Sequence, residues 1–100
     1  MRIRADLDID DQRLGDICRR WHLSSLSVFG SVLTDAFGPD SDIDLLYEFE
    51  EGHAPGWDLV QVGEELEALF GRPVDLVGRR SLHWLIQDRV LAQARTLHAA

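Results

Sequence analysis

The stretch Phe29-Gly30-Ser31-Val32-Leu33-Thr34-Asp35-Ala36-Phe37-Gly38-Pro39-Asp40-Ser41-Asp42-Ile43-Asp44-Leu45-Leu46 decides how the chain folds. Leu26 to Phe29 predicts a short buried strand that Gly30-Ser31 closes. Val32 to Phe37 is a brief apolar segment, and Gly38-Pro39-Asp40-Ser41 has the composition of a turn. Ile43 to Phe49 is rich in strand formers. It opens, however, on Asp42-Ile43-Asp44, where a strand buried on both faces would carry apolar residues.

Those two aspartates set the chemistry. Residues two apart in a strand project from the same face, about 7 Å apart at the backbone, so Asp42 and Asp44 present paired carboxylates. Drawing such a pair out of water without a counter-charge costs several kcal/mol, and a divalent ion with oxygen ligands removes that cost. Magnesium is the expected ion. A third acidic residue interrupts the apolar run Val74-Asp75-Leu76-Val77, which Pro73 opens as a strand. If that strand lies beside Ile43 to Phe49, then Asp42, Asp44 and Asp75 make a site able to hold two metal ions.

Gly30-Ser31 stands where a strand turns into a short helix. Glycine lets a phosphate approach the backbone, a helix start offers N–H donors, and the Ser31 hydroxyl adds another. Together these residues predict a nucleoside triphosphate resting on Gly30-Ser31, magnesium held by the carboxylates, and phosphoryl-type transfer.

Outward from this centre the pattern is that of an α+β domain. With Asp10 or Asp11 as N-cap, Leu14, Ile17, Cys18 and Trp21 follow helical spacing, and the helix is expected to end near His22. After the loop Glu50 to Gly56, Leu59, Val62, Leu66, Leu69 and Phe70 form the buried stripe of a second helix, which Gly71 terminates. From Ser81 to about Leu97 the apolar spacing predicts one kinked helix or two short ones. Arg2 to Ile9 alternates polar and apolar residues, which fits an edge strand and an extended arm equally. The expected architecture is a small mixed sheet of Leu26 to Phe29, Ile43 to Phe49 and Val74 to Val77, backed by helices, in one domain spanning residues 1–100.

Composition narrows the function classes. The 100 residues include ten basic side chains, all arginine, against 18 acidic ones, for a net charge of −8. Without lysine, a phosphate-loop Lys, a Schiff-base Lys and Lys-anchored pyridoxal phosphate are excluded. The acidic balance argues against sequence-independent nucleic-acid binding, which needs basic surface. Cys18 is a single cysteine, no apolar run approaches a membrane span, and Met1 to Asp10 lacks the apolar core of a signal peptide, so cytoplasmic residence is the expectation. A domain this small has no room for its own acceptor-binding module, so a large acceptor must be another molecule.

Gly30-Ser31, ten intervening residues and Asp42-Ile43-Asp44 resemble the Gly-Ser-x10-Asp-x-Asp pattern of the polymerase-beta nucleotidyltransferase superfamily, with Asp75 fitting its third carboxylate. Phe29 to Leu33, Pro39 to Leu46, Val74 to Val77 and Asp88-Arg89-Val90-Leu91 are similar to the minimal nucleotidyltransferases of the MntA antitoxin type, and the match covers nearly the whole chain. The resemblance implies the superfamily's palm fold. It also implies transfer of AMP from ATP, with magnesium, to a tyrosine of a HEPN-domain toxin, as the antitoxin of a toxin-antitoxin pair. In the implied mechanism Asp42 and Asp44 hold two magnesium ions, Asp75 binds one and helps deprotonate the attacking hydroxyl, and Gly30-Ser31 hold the departing pyrophosphate. A rival reading is a non-catalytic module that silences its partner by steric contact. Many relatives carry an arginine where this chain has Thr34, which leaves Arg72, Arg79 or Arg80 to grip phosphate in its place, while Arg79-Arg80 more simply suits a solvated pair at a helix entry.

The remaining side chains receive plainer expectations. His22, His53, His83 and His98 share no spacing and are assigned no metal. Trp21 and Trp84 lie on helical stretches and suit core or interface, Cys18 suits the core, and Glu48, Glu50 and Glu51 suit a solvated loop edge or a face for a basic partner.

Overall fold

The computed structural model describes residues 1–53, 56, 58–82 and 84–99, without the side chains of residues 80 and 84–87. The expectations for His83 and for the side chains of Arg80 and Trp84 lie outside the described residues.

The N-terminal alternation forms strands, as one of its two readings has it, but apart from the main sheet. β1 (Arg2–Arg4) and β2 (Leu7–Asp8) pair antiparallel as a separate two-stranded sheet and bury Ile3 and Leu7. α1 (Asp11–Arg20) begins at Asp10, whose carboxylate accepts from the backbone N–H groups of Gln12 at 2.9 Å and Arg13 at 3.2 Å. It buries Leu14, Ile17 and Cys18.

β3 (Leu23–Phe29) runs into the 3-10 turn Gly30–Leu33, and β4 (Ile43–Phe49) returns antiparallel to β3. α2 (Asp58–Phe70) buries Val62, Leu66, Leu69 and Phe70 and stops at Gly71, whose φ of +71° favours glycine. It joins β4 to β5 (Val74–Gly78), which pairs parallel to β4, as a helical crossover allows. After the 3-10 turn Arg79–Ser81 come α3 (Trp84–Gln93) and β6 (Arg95–Ala99).

The C-terminal segment departs from the expected helices. α3 ends with Ala94 N–H donating to Val90 at 2.9 Å, and Arg95–Ala99 pairs antiparallel with β3. Leu97, which continues the helical spacing of α3, is instead buried from a strand. The main sheet is therefore mixed and four-stranded, ordered β5-β4-β3-β6.

Alternation along β4 divides the sheet into two faces. Ile43 and Leu45 enter the core with Leu26 and Val28 of β3 and with the apolar stripes of α1 and α2. Each such buried aliphatic side chain contributes about 1.5–3 kcal/mol. Glu65 of α2 ties the two helices together by accepting from the Arg20 guanidinium and the Trp21 indole N–H. Asp44 is the residue between Ile43 and Leu45, so it emerges on the opposite face. One sheet face thus packs into the core, and the other carries Asp44 beside the buried Leu46.

Candidate active site

The sheet register brings the sequence-selected aspartates together. Asp44 of β4 is the direct partner of Asp75 of β5, and paired residues of neighbouring strands share a face. Asp42 is exposed just before β4, two residues from Asp44. Burial is the first cause that raises the Asp44 carboxyl above its ordinary value, and the charges of Asp75 and then Asp42 raise it further. Asp44 therefore feels both of its acidic neighbours. The three carboxylates are more widely spread than three donors within 4.8 Å, a spacing met among the described residues by His22, Glu50 and His53. Like charges facing one another favour this spread, and a divalent cation with oxygen ligands would offset the repulsion.

Gly30 completes the arrangement from β3. Phe29 pairs with Asp44, which places Gly30 against the Asp44 side chain. A Cβ at Gly30 would lie 2.3 Å from Asp44 Oδ2, and its φ of +75° is also one that side-chain-bearing residues rarely adopt. Ser31 follows, half-buried, in a 3-10 turn whose N-terminus is capped by no side chain. The glycine-serine corner and the aspartates thus meet at one edge of the acidic face.

The loop carrying Asp42 is fixed from two sides. Gly38 N–H donates to Ser41 Oγ at 3.0 Å, and Ser41 N–H donates to the Gly38 carbonyl at 3.1 Å. Arg72 donates to the carbonyls of Gly38 at 2.7 Å and Ser41 at 3.1 Å, with its guanidinium 4.2 Å from the Phe37 ring centroid. Ile43 N–H donates to the Pro73 carbonyl at 3.0 Å, tying the starts of β4 and β5 together.

This geometry reassigns the arginines considered for gripping phosphate. Arg72 holds the Gly38–Ser41 turn, while Arg79 lies 3.7 Å from Glu48, toward the far end of β4. Thr34 ends the 3-10 turn, its hydroxyl donating to the Ser31 carbonyl at 2.9 Å. Arg4, which the sequence did not single out, donates to the carbonyls of Val32 and Thr34 at 3.0 Å each and pairs with Asp6. Arg4 and Arg72 both carry a cation–π contact with Phe37. That shared contact was hidden in the sequence because the three residues come from distant segments.

A cleft of about 240 Å³ lies at the other end of β4 and β5, lined by Tyr47, Glu48, His53, Gly78 and Arg79 among others. It is separated from the aspartates by the length of β4. No helix among the described residues is long and apolar enough to cross a membrane.

The model of the nucleotidyltransferase domain family matches residues 11–97. The protein adenylyltransferase MntA of Thermococcus cleftensis is 37% identical over 79 residues, covering 78% of this chain and 78% of that protein. A solved structure of a candidate minimal nucleotidyltransferase superposes with a TM-score of 0.71 at 35% identity, covering 85% of this chain and 86% of the other. A chain from the complex of a tri-AMPylated Shewanella oneidensis HEPN toxin with an MNT antitoxin shares the fold at a TM-score of 0.62 and 20% identity, over 90% of this chain and 70% of that one.

Proposed function

The chain belongs to the nucleotidyltransferase domain family and is an enzyme of adenylyltransferase type, and on that footing we propose that it moves AMP from magnesium-ATP to a tyrosine hydroxyl of a HEPN-type toxin, as the antitoxin of the pair. The observation that carries this reading is the pairing of Asp44 with Asp75 on the face that Gly30-Ser31 borders. The AMP-bearing HEPN toxin found with an MNT antitoxin supports the choice of acceptor.

Asp42, Asp44 and Asp75 fit a hard divalent cation, since all three offer carboxylate oxygens and a cation would offset both the burial of Asp44 and the charges of Asp75 and Asp42 beside it. When bound, magnesium would neutralise charge on the phosphates and on the attacking and departing oxygens. The protein's own residues supply the rest. Gly30 lets the Asp44 carboxylate lie against the backbone where β3 ends, and the start of the 3-10 turn that follows, with the Ser31 hydroxyl, donates to a phosphate oxygen. Asp75 is exposed and accepts the proton of the incoming hydroxyl. The hydroxyl oxygen then bonds to the α-phosphorus as the bond to the bridging oxygen breaks, and pyrophosphate leaves. Asp42 and Asp44, held by the fixed Gly38–Ser41 turn and by the sheet, would hold magnesium in a fixed place beside the reacting phosphate.

The test is incubation with ATP labelled at the α-phosphate, magnesium and the protein encoded by the adjacent gene. Label is expected on that partner with the wild type and lost with Asp42→Asn or Asp44→Asn. Transfer that persists in both variants would remove the aspartates from the mechanism. A complex that silences the partner without ATP would favour a purely steric antitoxin.

A further inference from the structure

The two ends of β4 differ in chemistry. At the end remote from the aspartates, three side chains from separate parts of the chain converge: His22 in the turn between α1 and β3, Glu50 just after β4, and His53 in the following loop. One ligand atom from each lies within 4.8 Å of the other two. The two imidazoles are stacked with centroids 3.9 Å apart and planes 11° from parallel, and His22 Nδ1 is 3.9 Å from Glu50 Oε2.

The backbone holds these residues in place. Glu50 N–H donates to the His22 carbonyl at 2.7 Å, and His53 N–H donates to the Glu50 carbonyl at 3.0 Å. His22 itself has a φ of +58°, uncommon for a residue with a side chain. This conformation ends α1 and turns His22 toward the loop that follows β4. A chain of main-chain contacts thus delivers two imidazoles and a carboxylate to one spot on the surface.

We propose that His22, Glu50 and His53 form a second metal site, for a divalent transition ion of the zinc class and distinct from the magnesium site of the aspartates. The donor set decides the class. Two imidazole nitrogens and one carboxylate suit zinc, nickel or cobalt, whereas magnesium prefers an all-oxygen shell. Zinc bonds of about 2.0–2.2 Å require the donors to draw closer than they now are and the stacked rings to fan apart. The side chains of His22 and Glu50 are half exposed to solvent, at 50% and 44%, so rotation about their side-chain bonds meets little packing. Three protein ligands leave a coordination position open to water or to a partner's side chain. Because His53 also lines the cleft beside Tyr47 and Arg79, a bound ion would fix one wall of that cleft.

Calorimetric titration of the full chain, stripped with chelator and then given zinc chloride alone, tests the site. The Asp42→Asn, Asp44→Asn double variant serves as background, so that zinc taken up by the acidic face does not register. Saturable uptake of one ion per chain is expected in this background. It should weaken at least tenfold with added His53→Ala, and equally with His22→Asn, since asparagine tolerates positive φ and leaves the fold intact. Magnesium chloride should give no heat at this site. Absence of saturable zinc uptake, or uptake that His53→Ala and His22→Asn leave unchanged, would overturn the proposal. Neither result touches the assignment of Asp42, Asp44 and Asp75, which the AMP-transfer experiment tests separately.

Discussion

Gly30 and Asp44 occupy neighbouring positions that exclude any side chain between them: a Cβ at Gly30 would stand 2.3 Å from Asp44 Oδ2. The constraint is double, because the Gly30 φ of +75° also disfavours side-chain-bearing residues. Gly30→Ala is therefore expected to lower stability by about 1–3 kcal/mol, from backbone strain together with displacement of Asp44. Urea unfolding measures the stability, and label transfer from ATP measures the accompanying loss of activity. An alanine variant with unchanged stability and transfer would contradict the close packing of this corner.

Asp44 also gives a pH-dependent stability with a definite sign. Burial, and then the charges of Asp75 and Asp42, raise its carboxyl above the ordinary value, so the folded chain holds that proton more tightly than the unfolded one. The resulting stability is fully present below the unfolded-state value and is lost as pH rises through the folded-state value. Near neutral pH the ionised carboxylate therefore costs stability in metal-free protein. Asp44→Asn should raise the Tm in chelator near neutral pH, and the gain should shrink in mildly acidic buffer. Magnesium should narrow the difference by stabilising the wild type. A variant that melts below the wild type in chelator at neutral pH would contradict this sign.

Asp75 separates chemistry from folding. It is exposed on an edge strand, so Asp75→Asn should change stability by no more than about 0.5 kcal/mol. Its proposed part in taking the hydroxyl proton predicts a fall in AMP transfer of about 10²–10⁴-fold. Thermal melting and initial rates on the same preparation check both halves. A variant that transfers at the wild-type rate would remove Asp75 from the reaction.

Arg72 acts on the site through the loop it holds. Arg72→Ala removes hydrogen bonds to the carbonyls of Gly38 and Ser41 and the contact with Phe37, at an expected cost of about 1–3 kcal/mol. Lysine keeps the charge but not the fork of donors, so Arg72→Lys should recover only part of the loss. If the loop positions Asp42, KM for magnesium-ATP should rise in the alanine variant and recover in step with stability in the lysine variant. An unchanged KM in a destabilised alanine variant would confine Arg72 to folding.

Cys18 offers an inexpensive check of the core. It is fully buried, and desolvation pushes its thiol up to about 11. A thiol reagent at mildly alkaline pH should leave the native chain unlabelled and label it fully in urea. Rapid labelling of native protein would place Cys18 outside the core.

Much of this was legible in the sequence, and the exceptions have physical causes. β4 was read with its observed limits, because its strand formers are bounded by turn residues on one side and a polar loop on the other. The face bearing Asp44 followed from the twofold repeat of a strand, whereas the place of Asp75 hung on β5 lying beside β4, which only the sheet register supplies. β6 was missed because Leu97 falls on the helical spacing that Val90 and Ala94 continue, while its strand character depends on pairing with β3. The roles of Arg4 and Arg72 and the convergence of His22, Glu50 and His53 depend on contacts between distant segments, which spacing along the chain does not encode.

Crystals of the chain grown with manganese in place of magnesium and a non-hydrolysable ATP analogue test the central claim most directly, through the anomalous signal of the metal. The account predicts manganese bridging Asp42, Asp44 and Asp75, with the analogue's phosphates against Gly30 and Ser31. Manganese and nucleotide bound elsewhere, with the three aspartates making no contact to either, would contradict it.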